Sequence, residues 1–176
     1  MAGEIRGIFR CERCGRQTAG DILIWRCPAC AGPLAWQGPA ALRVADLRSD
    51  RTGLWRYEAA LPVTYDPALS LGEPATPLVA GRLDGHTLHF KLDYLLPSGS
   101  FKDRGAAVLI GGLAALGVRE VVEDSSGNAA AAIALYCARA ALGCTIYAPA
   151  SAAPGKLVQV QAGGARLVRV PGPRAA

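Results

Sequence analysis

Pro97-Ser98-Gly99-Ser100-Phe101-Lys102-Asp103-Arg104-Gly105 places one lysine behind an aromatic ring and a tight Gly/Ser turn, where a helical stretch begins. An ammonium in a first helical turn meets the positive end of the helix dipole, and apolar surface beside it disfavours charge. Both effects favour the neutral amine that attacks carbonyl carbon, which makes Lys102 the candidate nucleophile. An arbitrary lysine in a first turn is merely solvated. The surrounding segments set this one apart.

Downstream, the chain alternates. Residues 103–116 read as a helix, weakened by Gly111-Gly112, and Glu120-Val121-Val122-Glu123 reads as a short strand. An alanine-rich helix follows over 128–142, then a strand over 144–148, a helix over 154–161 and a last strand over 166–170. Strand and helix in turn, with short links, predict a parallel α/β sheet. Between the first of these strands and the alanine-rich helix lies Asp124-Ser125-Ser126-Gly127-Asn128. Open α/β sheets bind ligands outside the carboxyl ends of their strands, where a helix N-terminus offers free amides to an anion. Cys137 and Cys144 sit within the apolar framework and read as plain buried thiols.

Upstream, Leu71-Gly72-Glu73-Pro74-Ala75-Thr76-Pro77-Leu78 is turn-forming and residues 87–92 alternate like a strand. His86 and His89 lack a cysteine or carboxylate at ligand spacing and read as structural or exposed. Residues 38–70 form a linker that packs, with a short helical turn over 42–47 and Trp55 and Tyr57 as aromatic anchors. At the front, Cys11-Glu12-Arg13-Cys14 and Cys27-Pro28-Ala29-Cys30 are two Cys-x-x-Cys pairs twelve residues apart. Each pair converges from one turn, and together they close a tetrahedral four-thiolate shell suited to structural zinc. A redox Cys-x-x-Cys is the alternative, but such motifs occur singly. Gly15 and Gly32 suit sharp knuckles, and residues 21–26 have the β-branched and aromatic content of a strand. The expected organisation is a zinc ribbon over 1–37, a linker over 38–70 and a catalytic unit over 71–176.

The 176 residues are 51% hydrophobic and 19% charged, which excludes a disordered chain. The net charge of +5 is spread along the sequence, so no nucleic-acid partner is expected. Neither a signal peptide nor a membrane span is legible, so the protein reads as cytoplasmic, and its six cysteines then point to metal or buried thiols.

Taken together, these segments resemble the pyridoxal-phosphate enzymes of the tryptophan synthase β-subunit fold, and within them threonine synthase. Residues 97–105 are similar to that family's Asn-Pro-Thr-Gly-Ser-Phe-Lys-Asp-Arg-Gly motif, residues 72–78 to its Gly-Glu-Gly-x-Thr-Pro-Leu segment, and residues 125–128 to its Ser-Ser-Gly-Asn loop. The resemblance implies an open parallel sheet of this type with pyridoxal 5′-phosphate held on Lys102 as a Schiff base. It implies that Phe101 packs near the cofactor and that Asn128 hydrogen-bonds its 3′-oxygen. Ser125, Ser126 and Gly127 would hold an amino-acid substrate's carboxylate, and Lys156 would meet its phosphate. The implied reaction turns O-phospho-L-homoserine and water into L-threonine and phosphate. A dehydratase of the same fold, acting on threonine or serine, and a non-catalytic zinc-ribbon binding module are the competing expectations. A homodimer of the full-length enzyme is left open.

The sequence departs from the family pattern at Leu96, Ser98, Pro74 and Ala129, which bears on substrate fit. The family's glycine-rich phosphate cradle and the hydroxyl partner of the pyridine nitrogen come later than Ala176. The chain is therefore expected to be the front portion of an enzyme, its sheet incomplete at the C-terminus, with weak or no cofactor binding and no turnover alone.

Overall fold

The computed structural model describes residues 5–20, 23–38 and 42–172. The cysteine module is a three-stranded antiparallel sheet of β1 (Ile8–Cys11), β2 (Gln17–Ala19) and β3 (Leu34–Gln37), in the order β2-β1-β3. Phe9 of β1 is opposite Thr18 on one side and Trp36 on the other. Residues 21 and 22 of the strand expected over 21–26 lie outside the described residues, and Leu23, Ile24, Trp25 and Arg26 form coil and a bend. Both edges of β1 are already taken by β2 and β3, so strand propensity finds no central partner there. Trp25 is left 79% exposed, with the Arg26 guanidinium 4.0 Å from its ring centroid.

The ribbon is tied to the linker. Arg6 N donates to Pro62 O at 2.7 Å, Ile5 forms an isolated bridge with Val63, and the Arg6 guanidinium donates to Glu58 O at 3.1 Å. The linker holds two 3-10 segments, Val44–Asp46 and Gly53–Ala60. Of its two expected anchors, Trp55 is buried against Tyr65 at a centroid distance of 5.3 Å, whereas Tyr57 is exposed. Gly53 has φ +56°, and a Cβ there would fall on the Glu73 carbonyl oxygen. Gly53→Ala combines that clash with a left-handed backbone and is expected to cost about 1–3 kcal/mol. The urea midpoint reads this directly; an unshifted midpoint would mean that the Glu73 backbone gives way freely.

β4 (Leu78–Leu83) and β5 (His86–Lys91) form an antiparallel hairpin around Asp84-Gly85. The strand expected over 87–92 forms over 86–91, and every residue of β5 is exposed, including both histidines. Pairing with β4 accounts for the strand, and β4 itself carries no legible alternation.

Beyond the hairpin the elements follow the expected order: α1 (Lys102–Ala115), β6 (Glu120–Asp124), α2 (Asn128–Arg139), β7 (Gly143–Pro149), α3 (Pro154–Ala162) and β8 (Arg166–Val170). The three strands are parallel in the order β6-β7-β8. Small side chains let α2 pack on several sides at once. Ala132, Ile133, Tyr136 and Cys137 meet α1 residues Ala106, Ala107 and Ile110, together with Trp55 and Val63 of the linker. Ala130 and Ala134, four apart, meet Ile146 of β7 and Val160 of α3. A helix buried on most of its circumference belongs inside the fold. Cys137 is fully buried as expected, but Cys144 is only half-buried. Among the described residues no helix is long and apolar enough to cross a membrane.

Candidate active site

The lysine is placed by a turn that the sequence builds from proline and glycine. Gly99 N donates to Leu96 O at 2.8 Å, with Pro97 and Ser98 in the corners, and Gly99 takes φ +81°. Asp103, in the first turn of α1, reaches back over this turn. Its carboxylate accepts from Ser98 N at 2.7 Å and from the Ser98 hydroxyl. Burial pushes the Asp103 carboxyl above its ordinary value, and the Ser98 bonds oppose that shift.

Arg104 ties the same turn of α1 to the Thr76-Pro77 segment. Its guanidinium donates to Asp93 Oδ1 at 2.8 Å and to Thr76 Oγ1 at 3.0 Å, while Thr76 Oγ1 donates to Asp93 Oδ1 at 2.6 Å. The Arg104 bond holds the Asp93 carboxyl below its ordinary range. Lys91 Nζ donates to Thr76 O, so this lysine is engaged at the hairpin. Four residues before Thr76, Gly72 adjoins the buried Glu73, whose carboxylate binds Trp55, Ser70 and Tyr136. The two motif segments are thus joined through polar contacts that neither segment makes alone.

Lys102 is the first residue of α1. It was expected against apolar surface, but its side chain is exposed, with Nζ 4.5 Å from the centroid of the Phe101 ring, itself 57% exposed. One ring face beside a solvent-facing amine supplies contact without enclosure.

The second loop leaves β6 through Asp124. Ser125 N donates to Tyr147 O of β7 at 3.2 Å and Gly127 N donates to Ser125 Oγ at 3.3 Å, which curls the loop onto the end of the sheet. Gly127 caps α2 with no side-chain hydrogen bond, and the first helical bond runs from Ala131 N to Gly127 O at 3.1 Å. The earlier amides of the helix point off its end.

Lysine and loop line one cavity of about 540 Å³, together with Ala129, Ala131, Gly155 and Gln159. Of the residues singled out from sequence, Lys102, Ser125, Gly127 and Asn128 face this space. Ser126 is half-buried in the loop, and Phe101 contributes through its contact with Lys102. The Lys156 side chain lies outside the described residues. A Cβ added at Gly127 or at Gly155 meets no atom within 4 Å, so the cavity wall is open at both helix starts. An amine, a loop hydroxyl, a carboxamide and a free helix terminus fit a carbonyl-bearing anionic cofactor and a carboxylate. Gln159 was missed from sequence; its only signal is the four-residue spacing from Gly155, which puts both on one helix face.

Away from this cavity, the sulfur atoms of Cys11, Cys14, Cys27 and Cys30 all lie within 4.8 Å of one another. The closest pairs are Cys11 to Cys30 at 3.5 Å and Cys14 to Cys27 at 3.6 Å. A tetrahedral zinc with sulfur ligands at about 2.3 Å needs them about 3.8 Å apart, so the cluster suits that ion. The knuckles are alike: Gly15 N bonds to Cys11 O and Ala31 N to Cys27 O, both with positive φ. The left-handed residue of the second knuckle is thus Ala31, and Gly32 serves close approach, since a Cβ there would lie 3.0 Å from Cys11 Sγ. The Cys14 amide bond lowers the Cys11 thiol to about 6, which favours the thiolate a metal requires.

Known proteins agree with this geometry. Residues 69–176 match the family described as pyridoxal-phosphate dependent enzyme. The chain is 31% identical over 173 residues to a threonine synthase of Methanosarcina acetivorans, covering 93% of this chain and 42% of that protein. It is 40% identical over 122 residues to a threonine synthase of Mycobacterium leprae, covering 66% of this chain and 34% of that protein. The chain therefore spans less than half the length of these curated relatives. Among solved structures, a hydrogen sulfide-producing enzyme from Fusobacterium nucleatum superposes with a TM-score of 0.56 at 25% identity, covering 64% of this chain and 39% of the other. The lysine turn, the loop at the head of α2 and the parallel sheet between them belong to one matched region, and the chain is a member of the pyridoxal-phosphate-dependent enzyme family.

Proposed function

We propose that this chain carries the lysine side of a threonine synthase-like lyase, which converts O-phospho-L-homoserine and water into L-threonine and phosphate. The observation that carries this reading is the single cavity shared by Lys102 and the head of α2. The likeness to curated threonine synthases along 93% of the chain supports the substrate.

When bound, pyridoxal 5′-phosphate supplies an electron sink for carbanions at the substrate's α- and β-carbons. In this reading Lys102 Nζ would hold the cofactor at its carbonyl carbon and would serve as the base and acid that moves protons at the substrate. The Asn128 carboxamide, in the same cavity, would hold the cofactor's 3′-oxygen. The Ser125 and Ser126 hydroxyls, with the Gly127 amide and the first amides of α2, bind and orient the substrate carboxylate. Lys156, at the head of α3, is proposed for the substrate phosphate. Cys11, Cys14, Cys27 and Cys30 hold a structural zinc, whose closed shell leaves no position for chemistry. Residues 1–37, 38–70 and 71–176 serve as ribbon, linker and catalytic unit.

The chain has three lysines, Lys91, Lys102 and Lys156, so the cofactor position is simple to map. Borohydride reduction of the whole protein incubated with pyridoxal phosphate, followed by peptide mapping, is expected to place the label, among these three, on Lys102. A label confined to Lys91 or Lys156, or an undiminished yield in Lys102→Ala, would sink the assignment. In the whole protein, phosphate release from O-phosphohomoserine is expected; ammonia release from threonine or serine instead would make it a dehydratase.

A further inference from the structure

We propose that Gln159 of α3 is a positioning residue for Lys102, acting through the turn that precedes it. This rests on the reading of Lys102 as the cofactor lysine. The rotation of α3 about its axis is fixed by Leu157 and Val160, both fully buried. With those two directed inward, Gly155 and Gln159, four residues apart, line the cavity beside Lys102. From there Gln159 Nε2 donates to the Ser98 carbonyl oxygen at 3.2 Å, across 61 residues of sequence.

That carbonyl is a sensitive point. The amide and hydroxyl of Ser98 are already committed to Asp103. The peptide unit joining Ser98 to Gly99 is held on its N–H side by Leu96 O. On its C=O side the hydrogen bond, among the described residues, is the one from Gln159. Gly99, at φ +81°, is the residue of the turn with the widest choice of backbone angles, and it lies three positions before Lys102. Fixing both ends of this peptide unit fixes the direction from which the chain enters α1. It therefore fixes where Lys102 Nζ stands relative to the loop at the head of α2. A glutamate at 159 keeps length and shape but has no proton to donate and presents a carboxylate to a carbonyl oxygen.

The test compares, in the whole protein, wild type, Gln159→Glu and Val158→Ala, the last removing an exposed side chain from the same helix. Two readouts are taken: backbone hydrogen exchange at Gly99 to Lys102, and the rate of borohydride-trapped pyridoxal phosphate at Lys102 with Lys91 as internal reference. In Gln159→Glu, exchange at Gly99 and Ser100 is expected to rise about five- to tenfold and the Lys102/Lys91 trapping ratio to fall by a similar factor, as for the loss of one hydrogen bond. The thermal midpoint should fall by no more than the few degrees that one hydrogen bond is worth, Lys91 labelling should stay at its wild-type value, and Val158→Ala should match wild type throughout. Unchanged exchange in Gln159→Glu overturns the proposal, as does a trapping rate that falls equally at both lysines. If wild-type Lys102 is labelled no faster than Lys91, the cofactor assignment fails. Exchange then decides the positioning role alone: faster exchange in Gln159→Glu supports it and unchanged exchange overturns it.

Discussion

Glu73→Ala is expected to lower stability by about 3–5 kcal/mol, because it strips a buried carboxylate from a node of four donors. Glu73 is 1% exposed and accepts from Trp55 Nε1 at 2.8 Å, Ser70 Oγ at 2.6 Å, Tyr136 OH at 2.6 Å and Leu71 N at 3.1 Å. These donors come from the linker, the turn before the hairpin and α2, so one side chain joins three parts of the fold. Alanine strips an indole N–H and a phenol of their partner, and each orphan costs about 1–3 kcal/mol. Glutamine is not a mild replacement, since its amide nitrogen would face a donor on one side. Tyr136→Phe removes one donor while the acceptor keeps three, so a smaller loss of about 1 kcal/mol is expected.

The same node predicts a pH dependence. Burial pushes the Glu73 carboxyl up, but the hydrogen bonds from Ser70, Tyr136 and Leu71 outweigh it and the net shift is downward. A carboxyl lowered by folding binds its proton more readily in the unfolded chain. Its stabilisation is therefore complete above the ordinary carboxylate range and is lost as pH falls through the lowered value. Urea midpoints measured across that range should fall with acid in the wild type and fall less steeply in Glu73→Ala. Parallel curves would show that the carboxylate does not report on folding.

Metal removal is expected to have the second large effect. One zinc per chain should be bound, and a chelator or Cys11→Ser should abolish protection of the β1–β3 amides. Strands of four, three and four residues bury too little surface to stand alone. Structural zinc in peptides of this kind supplies about 10–16 kcal/mol at neutral pH, far more than such a sheet provides. The amides of β6–β8 should remain protected, because their core is formed with α2 and α3. A metal-free ribbon with full protection would refute the structural role.

Much of this was legible from residue order. From α1 to β8, helix and strand periods alternate with short links, so each element announces itself locally. The ribbon strands were not legible, because β1 is defined by partners on both sides of two knuckles, and the more strand-like 23–26 segment lost that competition. The hairpin was half legible: β5 alternates, but no element among those described covers it, so its alternation buries nothing. At the site, Lys102, Ser125, Gly127 and Asn128 stood out because motif chemistry sits in single loops. Glu73 did not, since its partners Trp55 and Tyr136 are 18 and 63 residues away and each looks like ordinary core. Gln159 was hidden for the same reason: a glutamine on a short helix carries no mark of the carbonyl it will meet.

Gly111-Gly112 looked like a weakness in α1, yet the helix runs through both without a break. Val63 lies against this point: a Cβ on Gly112 would come 3.2 Å from its Cγ1, and the same valine bridges to Ile5 beside the ribbon. Two glycines forgo about 2 kcal/mol of helix propensity relative to alanine, a cost set against the close approach of Val63 that they permit. The first half of α1 carries Lys102, and the second half rests on the residue that the ribbon holds. A fourteen-residue helix about 21 Å long thus carries the amine at one end, while its glycine pair near the other end lets it lie close against a valine that also bridges to the cysteine module.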